Sequence, residues 1–505
     1  MTSTSADTSP EAVDIRTSAG WFHPLAALLL LALAVRLPLA FWPNVNHPDE
    51  IFQYLEPAWR MLGHDGIVTW EWRDGIRNWF LPTLLEGPVK LGDWLAPGGA
   101  GAFIVARLAV ALASLSIVVS AWFFGARISR THAIVASFVA AIWFELVYFA
   151  PHTLSEPLAT ALILPAALLL TGRLTRNRLV IGGALLALAL VWRFQYGPAI
   201  AVIALGPCWK QWRNVIPMVA GGLVALSLSA MVDAAHGVVP FEWLILNIKQ
   251  NLLQDRASEF GVSSTIVYLG YESVIWSGAT LLLLCALWRG SRHVPLLVVA
   301  AIVNIAFHSA IAHKEYRFIF LSVVLLIIAA ALGSADWVQA MRTKPAWRRW
   351  ALPLVAGGWA LISLTLADAS GPMRDNWMRG TGMAQLAAQL RDDGELCGAA
   401  IYVTSYHLLP GRERLVGGAP LYAFQLKDPL ASGRLPDLAR EHEAAFNRIL
   451  APPETASELP SGFSRRACAE MGRDGAACIF ARKGSCDAAA GGSFAINDVL
   501  VRMNY

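Results

Sequence analysis

A chain of 505 residues that is 56% hydrophobic and 15% charged, with a mean hydropathy of +0.49, is too apolar for a water-soluble protein, which carries about 25% charged residues. The formal net charge of +4 is small and spread along the chain, so no basic footprint for nucleic acid is implied. The numbers describe an integral membrane protein.

Residues 1–20 are polar and rich in Ser, Thr and Ala and read as a disordered cytoplasmic tail. The stretch 21–42 is the first span, at roughly the 20 residues that a bilayer requires. It lacks the basic n-region and cleavage site of a signal peptide, so it reads as an anchor. Residues 44–100 form a large first external loop. Further apolar segments follow at about 102–124, 132–150, 156–171, 179–193, 197–209, 214–232, 273–288, 294–310, 316–335 and 350–367. That makes roughly eleven spans, some short enough to need tilt or a thinned bilayer. The break within 179–209 is placed at Arg193-Phe194-Gln195-Tyr196-Gly197-Pro198, where Gly-Pro interrupts a helix and Arg is costly in lipid.

With the N-terminus in the cytoplasm, the basic loops fall on one side, as the positive-inside rule requires. They carry Arg127 and Arg130; Arg173, Arg176 and Arg178; Lys210 and Arg213; Arg289 and Arg292; and Arg342, Lys344, Arg348 and Arg349. The transmembrane domain then covers 21–368, and an external soluble domain covers 369–505. Cys397, Cys468, Cys478 and Cys486 all lie in that tail, an even set that suggests two disulfides. The tail reads as a small α/β domain, with helical periodicity at 383–390 and 437–450 and strands at 399–405 and 477–482. No Cys-x-x-Cys or Cys/His zinc spacing occurs, so no metal is expected. Arg far outnumbers Lys, a bias of GC-rich bacterial genomes, which suggests a cell inner membrane with the external site on the periplasmic side.

The first loop is dense in function-bearing residues: His47, Asp49, Glu50, Gln53, Glu56, Trp70, Glu71, Trp72 and Arg77 fall within it. Trp59, Trp70, Trp72, Trp79 and Trp94 supply five of the 20 tryptophans, a residue that concentrates at membrane interfaces and on stacked ligands. Arg36, Arg107, Glu145 and Arg193 lie inside spans, all toward the outer end. Each costs about 2.5–3.5 kcal/mol at mid-membrane, so each needs a reason. Snorkelling or mutual pairing is one; a polar cavity opening outward beneath the loop is the other. The segment His308 to Phe318 places His313, Lys314 and Arg317 on the same outer face. Cations there oppose both the positive-inside bias and the macrodipole at a helix start, which an anion such as phosphate would offset. Asp49-Glu50 after Pro48 reads as an acidic helix start. It can equally serve as a carboxylate at the cavity mouth, able to take a proton from a hydroxyl.

His47-Pro48-Asp49-Glu50-x-x-Gln53-x-x-Glu56-Pro57, Thr69-Trp70-Glu71-Trp72 and Ile76-Arg77 together resemble the first lumenal loop of glycosyltransferase family twenty-two. These are the dolichyl-phosphate-mannose α-mannosyltransferases of N-glycan and GPI-anchor assembly, polytopic α-helical proteins of the GT-C fold. His313-Lys314-Glu315-x-Arg317-Phe318 is similar to the family's second motif, and His152-Thr153-Leu154-Ser155-Glu156 with Arg193 to weaker ones. The resemblance implies a polyprenyl- or dolichyl-phosphate-mannose donor, a glycan or glycolipid acceptor, inversion at the sugar carbon, and no metal or cofactor. If the active site is external, it would be lumenal in a eukaryote. Asp49 would be the base and Glu50 would orient it or hold sugar hydroxyls. His313, Lys314 and Arg317 would hold the lipid phosphate, and His47, Gln53, Glu56, Trp70, Glu71, Trp72 and Arg77 would line the acceptor groove. A GT-C enzyme using another lipid-linked sugar, and a lipid-linked-sugar transporter, are the alternatives. The chain shows no repeated halves of the kind many transporters carry.

Overall fold

The computed structural model describes residues 19–209, 211–369, 371–431 and 433–505. Residues 1–18 of the tail expected over 1–20, and Lys210, lie outside the described residues. Among the described residues, six helices are long and apolar enough to cross a membrane: Phe22–Ala40, Ala100–Ala126, Trp212–Ala235, Val267–Gly290, Tyr316–Arg342 and Ala351–Ala369. Shorter apolar helices occupy Arg130–Ile142, Ser155–Leu170, Phe194–Cys208 and Pro295–Ala310. Phe320–Arg342 is the hub, buried along nearly its whole length. The faces of its neighbours that look away from it are left apolar and exposed, as lipid-facing surfaces are. At the ends that carry basic loops, Trp209, Trp212, Trp288, Trp347 and Trp350 stand exposed, the placement of an interfacial aromatic belt.

The expected span at 132–150 is broken. Arg130–Ile142 ends at Trp143 (φ −60°, ψ 124°) and a new helix, Phe144–Phe149, starts beyond it. Such a break strands carbonyls that lipid cannot satisfy. Arg36 donates to Ala141 O at 2.6 Å and Ala140 O at 2.7 Å, and Ser363 Oγ donates to Ile142 O at 2.9 Å. Arg36 is therefore the cap of an interrupted helix. Arg107 does the same work at the end of the first span, donating to Leu39 O at 3.2 Å and to Asn44 O at 2.6 Å.

The C-terminal segment holds a five-stranded sheet: β1 (Ala399–Tyr402), β2 (Leu421–Phe424), β3 (Arg448–Ala451), β4 (Ser464–Glu470) and β5 (Ala476–Ala481), in the order β2-β1-β3-β5-β4. β1 runs parallel to β2 and β3, and β5 runs antiparallel to β3 and β4. The helix expected over 437–450 stops at Glu441. Arg448–Ala451 is fully buried, and a short, all-buried apolar run is the sequence of an inner strand as much as of a helix. Disulfides join Cys397 to Cys486 and Cys468 to Cys478, the latter across the β4–β5 ladder.

This segment clasps the first loop. Asn497 accepts from Val68 N and donates to Gly66 O, each at 2.9 Å. Arg73 donates to Tyr505 O at 2.6 Å. Glu56, expected to face a sugar, instead accepts from Ile67 N at 2.9 Å and from Arg412 N, so it ties loop to tail.

Candidate active site

The loop opens with a π-helical segment, Glu50–Leu55, in which Glu56 N bonds to Ile51 O. Such wide turns recur at functional sites because they re-aim neighbouring side chains. Here they separate the two acids. Glu50 is fully buried, with His152 Nδ1 2.8 Å from Oε2 and Asn46 N donating to Oε1 at 2.6 Å. It faces the helix tops and anchors the loop. Asp49 stands at the start of this helix, as Pro48 and the acid pair suggested, but its side chain makes no capping bond there. Its carboxylate points the other way, toward Arg317.

Arg317 spends all three of its guanidinium nitrogens on carboxylates: Nη2 on Asp49 at 2.8 Å, Nε on Glu315 at 2.6 Å and Nη1 on Glu156 at 3.1 Å. Arg193 reaches Glu156 at 3.2 Å. His47 sits between Asp49 and Glu315, 3.3 Å from each, and His313 is 2.9 Å from Glu315. Arg77 lies 3.6 Å from Glu71 and 3.9 Å from Asp49. Burial opposes the charge on Asp49, but Arg317, His47 and Arg77 outweigh it and hold the carboxyl well below its usual range. Burial likewise opposes Glu315, and Arg317, His47 and His313 hold it well below.

Of the three cations expected to hold a phosphate, Lys314 differs. Its ammonium is buried and donates to backbone carbonyls, Ile311 O at 2.5 Å and Ser263 O at 3.0 Å. Among the described residues no carboxylate pairs with it. Its charge is held in place without being neutralised.

Beside Arg77 opens a polar hollow lined by Gln53, Tyr54, Arg77, Asn78, Ser155, Trp192, Arg193 and Asn247, among others. Several buried polar atoms of that lining have no protein partner: the donors Arg77 Nε, Trp192 Nε1 and Arg193 Nε, and the acceptors Gln53 Oε1 and Asn78 Oδ1. A mixed set of orphaned donors and acceptors is costly when empty of ligand and water. It suits a polyol, whose hydroxyls both donate and accept.

The structure thus brings His47, Asp49, Gln53, Glu71, Arg77, Arg193, His313, Lys314 and Arg317 into one region. Other expected residues go elsewhere. Arg36 and Arg107 are helix caps and do not line the hollow. Glu145 accepts from the indoles of Trp143 at 2.7 Å and Trp276 at 3.0 Å and from the Tyr316 hydroxyl, apart from it. Trp72 donates to Phe52 O at 3.0 Å, and Trp70 lies under the Arg256 guanidinium, 3.6 Å from the ring centroid. Sequence reasoning missed Asn78 and Trp192, which carry no motif of their own. It missed Tyr406 too, a tail residue whose ring packs 5.7 Å from that of Phe52, behind the loop. Glu156 was visible only as part of a weak motif, yet it bridges Arg317 and Arg193.

The model of the Alg9-like mannosyltransferase family matches residues 27–373. "GPI mannosyltransferase 3" of Yarrowia lipolytica is 29% identical over 326 residues, 61% of this chain and 61% of that one. "GPI alpha-1,2-mannosyltransferase 3" of Bos taurus is 27% identical over 318 residues, 58% of this chain and 56% of its own length. The match therefore spans about three fifths of these relatives' length. ArnT from Cupriavidus metallidurans, solved bound to undecaprenyl phosphate, shares the fold with a TM-score of 0.58 and 16% identity, over 93% of this chain and 99% of that one.

Proposed function

Because the chain belongs to the Alg9-like mannosyltransferase family, we propose that it transfers mannose, with inversion, from a polyprenyl- or dolichyl-phosphate carrier to a glycan or glycolipid acceptor. The observation that carries this is the hollow of unpartnered donors and acceptors beside Asp49. A mannosyl ring fills it, with its hydroxyls meeting Gln53, Asn78, Trp192 and the two arginines. The acceptor hydroxyl oxygen attacks the sugar C1 while the carrier's phosphate oxygen departs with the bonding electrons. Asp49 takes the hydroxyl proton, a contribution of about 10²–10⁴-fold.

The phosphate needs positive charge that is fixed before it arrives. Lys314, unneutralised, supplies the initial attraction. Arg317 follows once the phosphate competes with Asp49 for it, which also returns the Asp49 carboxylate to a basicity at which it can accept a proton. The carrier's hydrocarbon lies between helices and against membrane lipid, and the likeness to a protein solved with undecaprenyl phosphate supports a carrier of that class. The basic loops and exposed tryptophans at the far end support a site on the outer face, periplasmic or lumenal. Such a site meets the acceptor on that side.

The test is release of free polyprenyl phosphate by purified protein from defined lipid-linked sugars. Stoichiometric release with polyprenyl-phosphate mannose is expected. Release only from another lipid-linked sugar would replace mannose, and movement of an intact sugar–phosphate across vesicles would make the protein a transporter.

A further inference from the structure

The end of the bundle that carries the basic loops contains a cluster with no part in the chemistry above. His132, at the start of Arg130–Ile142, places Nε2 3.0 Å from Asp336 Oδ1. His293 places Nε2 3.1 Å from the other oxygen of the same carboxylate. All three ligand atoms lie within 4.8 Å of one another. We propose that His132, His293 and Asp336 form a site for a divalent zinc-class ion that pins the turn carrying His293 to two helices.

The donor set fits such an ion. Two imidazoles and one carboxylate, with a fourth position left for water, is a common ligand complement for zinc. Zinc–ligand bonds of about 2.0–2.1 Å put tetrahedral ligand atoms about 3.3 Å apart, close to the 3.0 Å and 3.1 Å found. The surroundings support it. Asp336 is an acid among basic loops, yet among the described residues its ion pairs are with the two histidines. Arg342, six residues on along the same helix, donates to Thr131 Oγ1 at 2.8 Å instead. The second nitrogen of His132 is held as well: Nδ1 lies 2.8 Å from Ser129 Oγ, which accepts from Gln339 Nε2 at 2.9 Å. Outer hydrogen bonds of this kind fix the ring that presents its other nitrogen to a metal.

The fold builds the cluster by a close helix crossing. A Cβ on Gly290 would lie 1.7 Å from Ala329 O, and one on Gly333 1.9 Å from Ala286 O. Only this contact of small residues lays the turn carrying His293 against Asp336. No spacing motif reveals the site, because the ligands come from three separate elements. His293 and Asp336 are each about one quarter exposed (25% and 24%), so an ion can enter from solvent.

The experiment uses full-length protein purified in detergent with a tag free of histidine. It is equilibrated with equimolar zinc and then gel-filtered in metal-free buffer. Metal analysis should find about one zinc per chain, as one site requires, and less than about a tenth of that in His293→Ala or Asp336→Asn. Chelator should lower the unfolding temperature of the wild type but not of either variant, and zinc should restore it where magnesium does not. Cobalt substitution should give the visible absorption of a tetrahedral ion. Equal zinc in the wild type and both folded variants would mean adventitious binding. A wild type that retains no zinc would leave a proton-bridged His–Asp–His cluster. Either result overturns the proposal.

Discussion

Arg317 Nη2 and Asp49 Oδ2 meet at 2.8 Å across 268 residues of sequence. The carboxylate proposed as the base is thus bound by the cation proposed to receive the leaving phosphate. In this state Asp49 is a poor base and Arg317 a poor phosphate ligand. On the proposed mechanism, a donor anion has to separate them first.

The roles of the two loop acids separate by mutation. Asp49→Asn should lower turnover roughly 10²-fold or more while a labelled polyprenyl phosphate still binds. Glu50→Gln should behave the other way round, since Asn46 N, His47 N and His152 lose their shared carboxylate. Stability should fall on the order of 1–3 kcal/mol, while turnover per folded molecule stays within a few-fold. Near-normal release of polyprenyl phosphate by Asp49→Asn would remove the base from this loop.

Lys314 is predicted to govern donor capture. Lys314→Met should weaken carrier-phosphate binding about tenfold or more, which is about 1.4 kcal/mol, with a smaller effect on the rate at saturation. Fluorescence titration with a labelled polyprenyl phosphate reads this directly. Unchanged affinity would show that the ammonium serves only the carbonyls it touches.

The pH dependence of stability should change sign at Arg317. In the wild type, Asp49 and Glu315 are held well below their usual range. The stability they contribute is therefore fully present above the unfolded values of about 4 and is lost as pH falls through the folded ones. In Arg317→Ala, Asp49 and Glu315 lose their shared cation, so burial and mutual repulsion raise their pKa values. That variant should gain thermal stability between about pH 7 and pH 5, where the wild type stays level. Parallel melting profiles for the two would dismiss the cluster as the source.

The clasp should be visible in hydrogen exchange. Asn497→Ala removes the acceptor of Val68 N and the donor to Gly66 O. The amides around 66–69 should exchange faster by a factor corresponding to about 1–2 kcal/mol, the usual worth of one or two hydrogen bonds, while those of Phe320–Arg342 stay protected. Unaltered exchange at Val68 would mean the loop holds itself.

How much of this was legible depended on whether a residue's partner lay nearby in sequence. The apolar segments and both polar motifs announce themselves by composition, and Asp49, Arg77, His313 and Arg317 followed from them. Arg36 and Arg107 were visible as costly charges, but not as caps. Their partners are backbone carbonyls 104 and 63 residues away, freed in the first case by a break at Trp143 that hydropathy does not register. Asn78 faces the hollow because the short segment before Phe80–Leu95 brings its amide to Val191 O, next to Trp192 and 113 residues away in sequence. Glu56 reads like its neighbours in the motif, and only the tail's position shows that it holds a strap and not a sugar.

That tail has a consequence for how the molecule is made. Val68 and Asn497, joined by one hydrogen bond, are 429 residues apart, and a ribosome adds roughly 5–20 residues per second. The first loop is therefore synthesised early and waits many seconds for the segment that fastens it. From about residue 317 onward a growing chain carries the side chains around Asp49 and Arg317, while Gly66 and Val68 still lack the partner that Asn497 will bring.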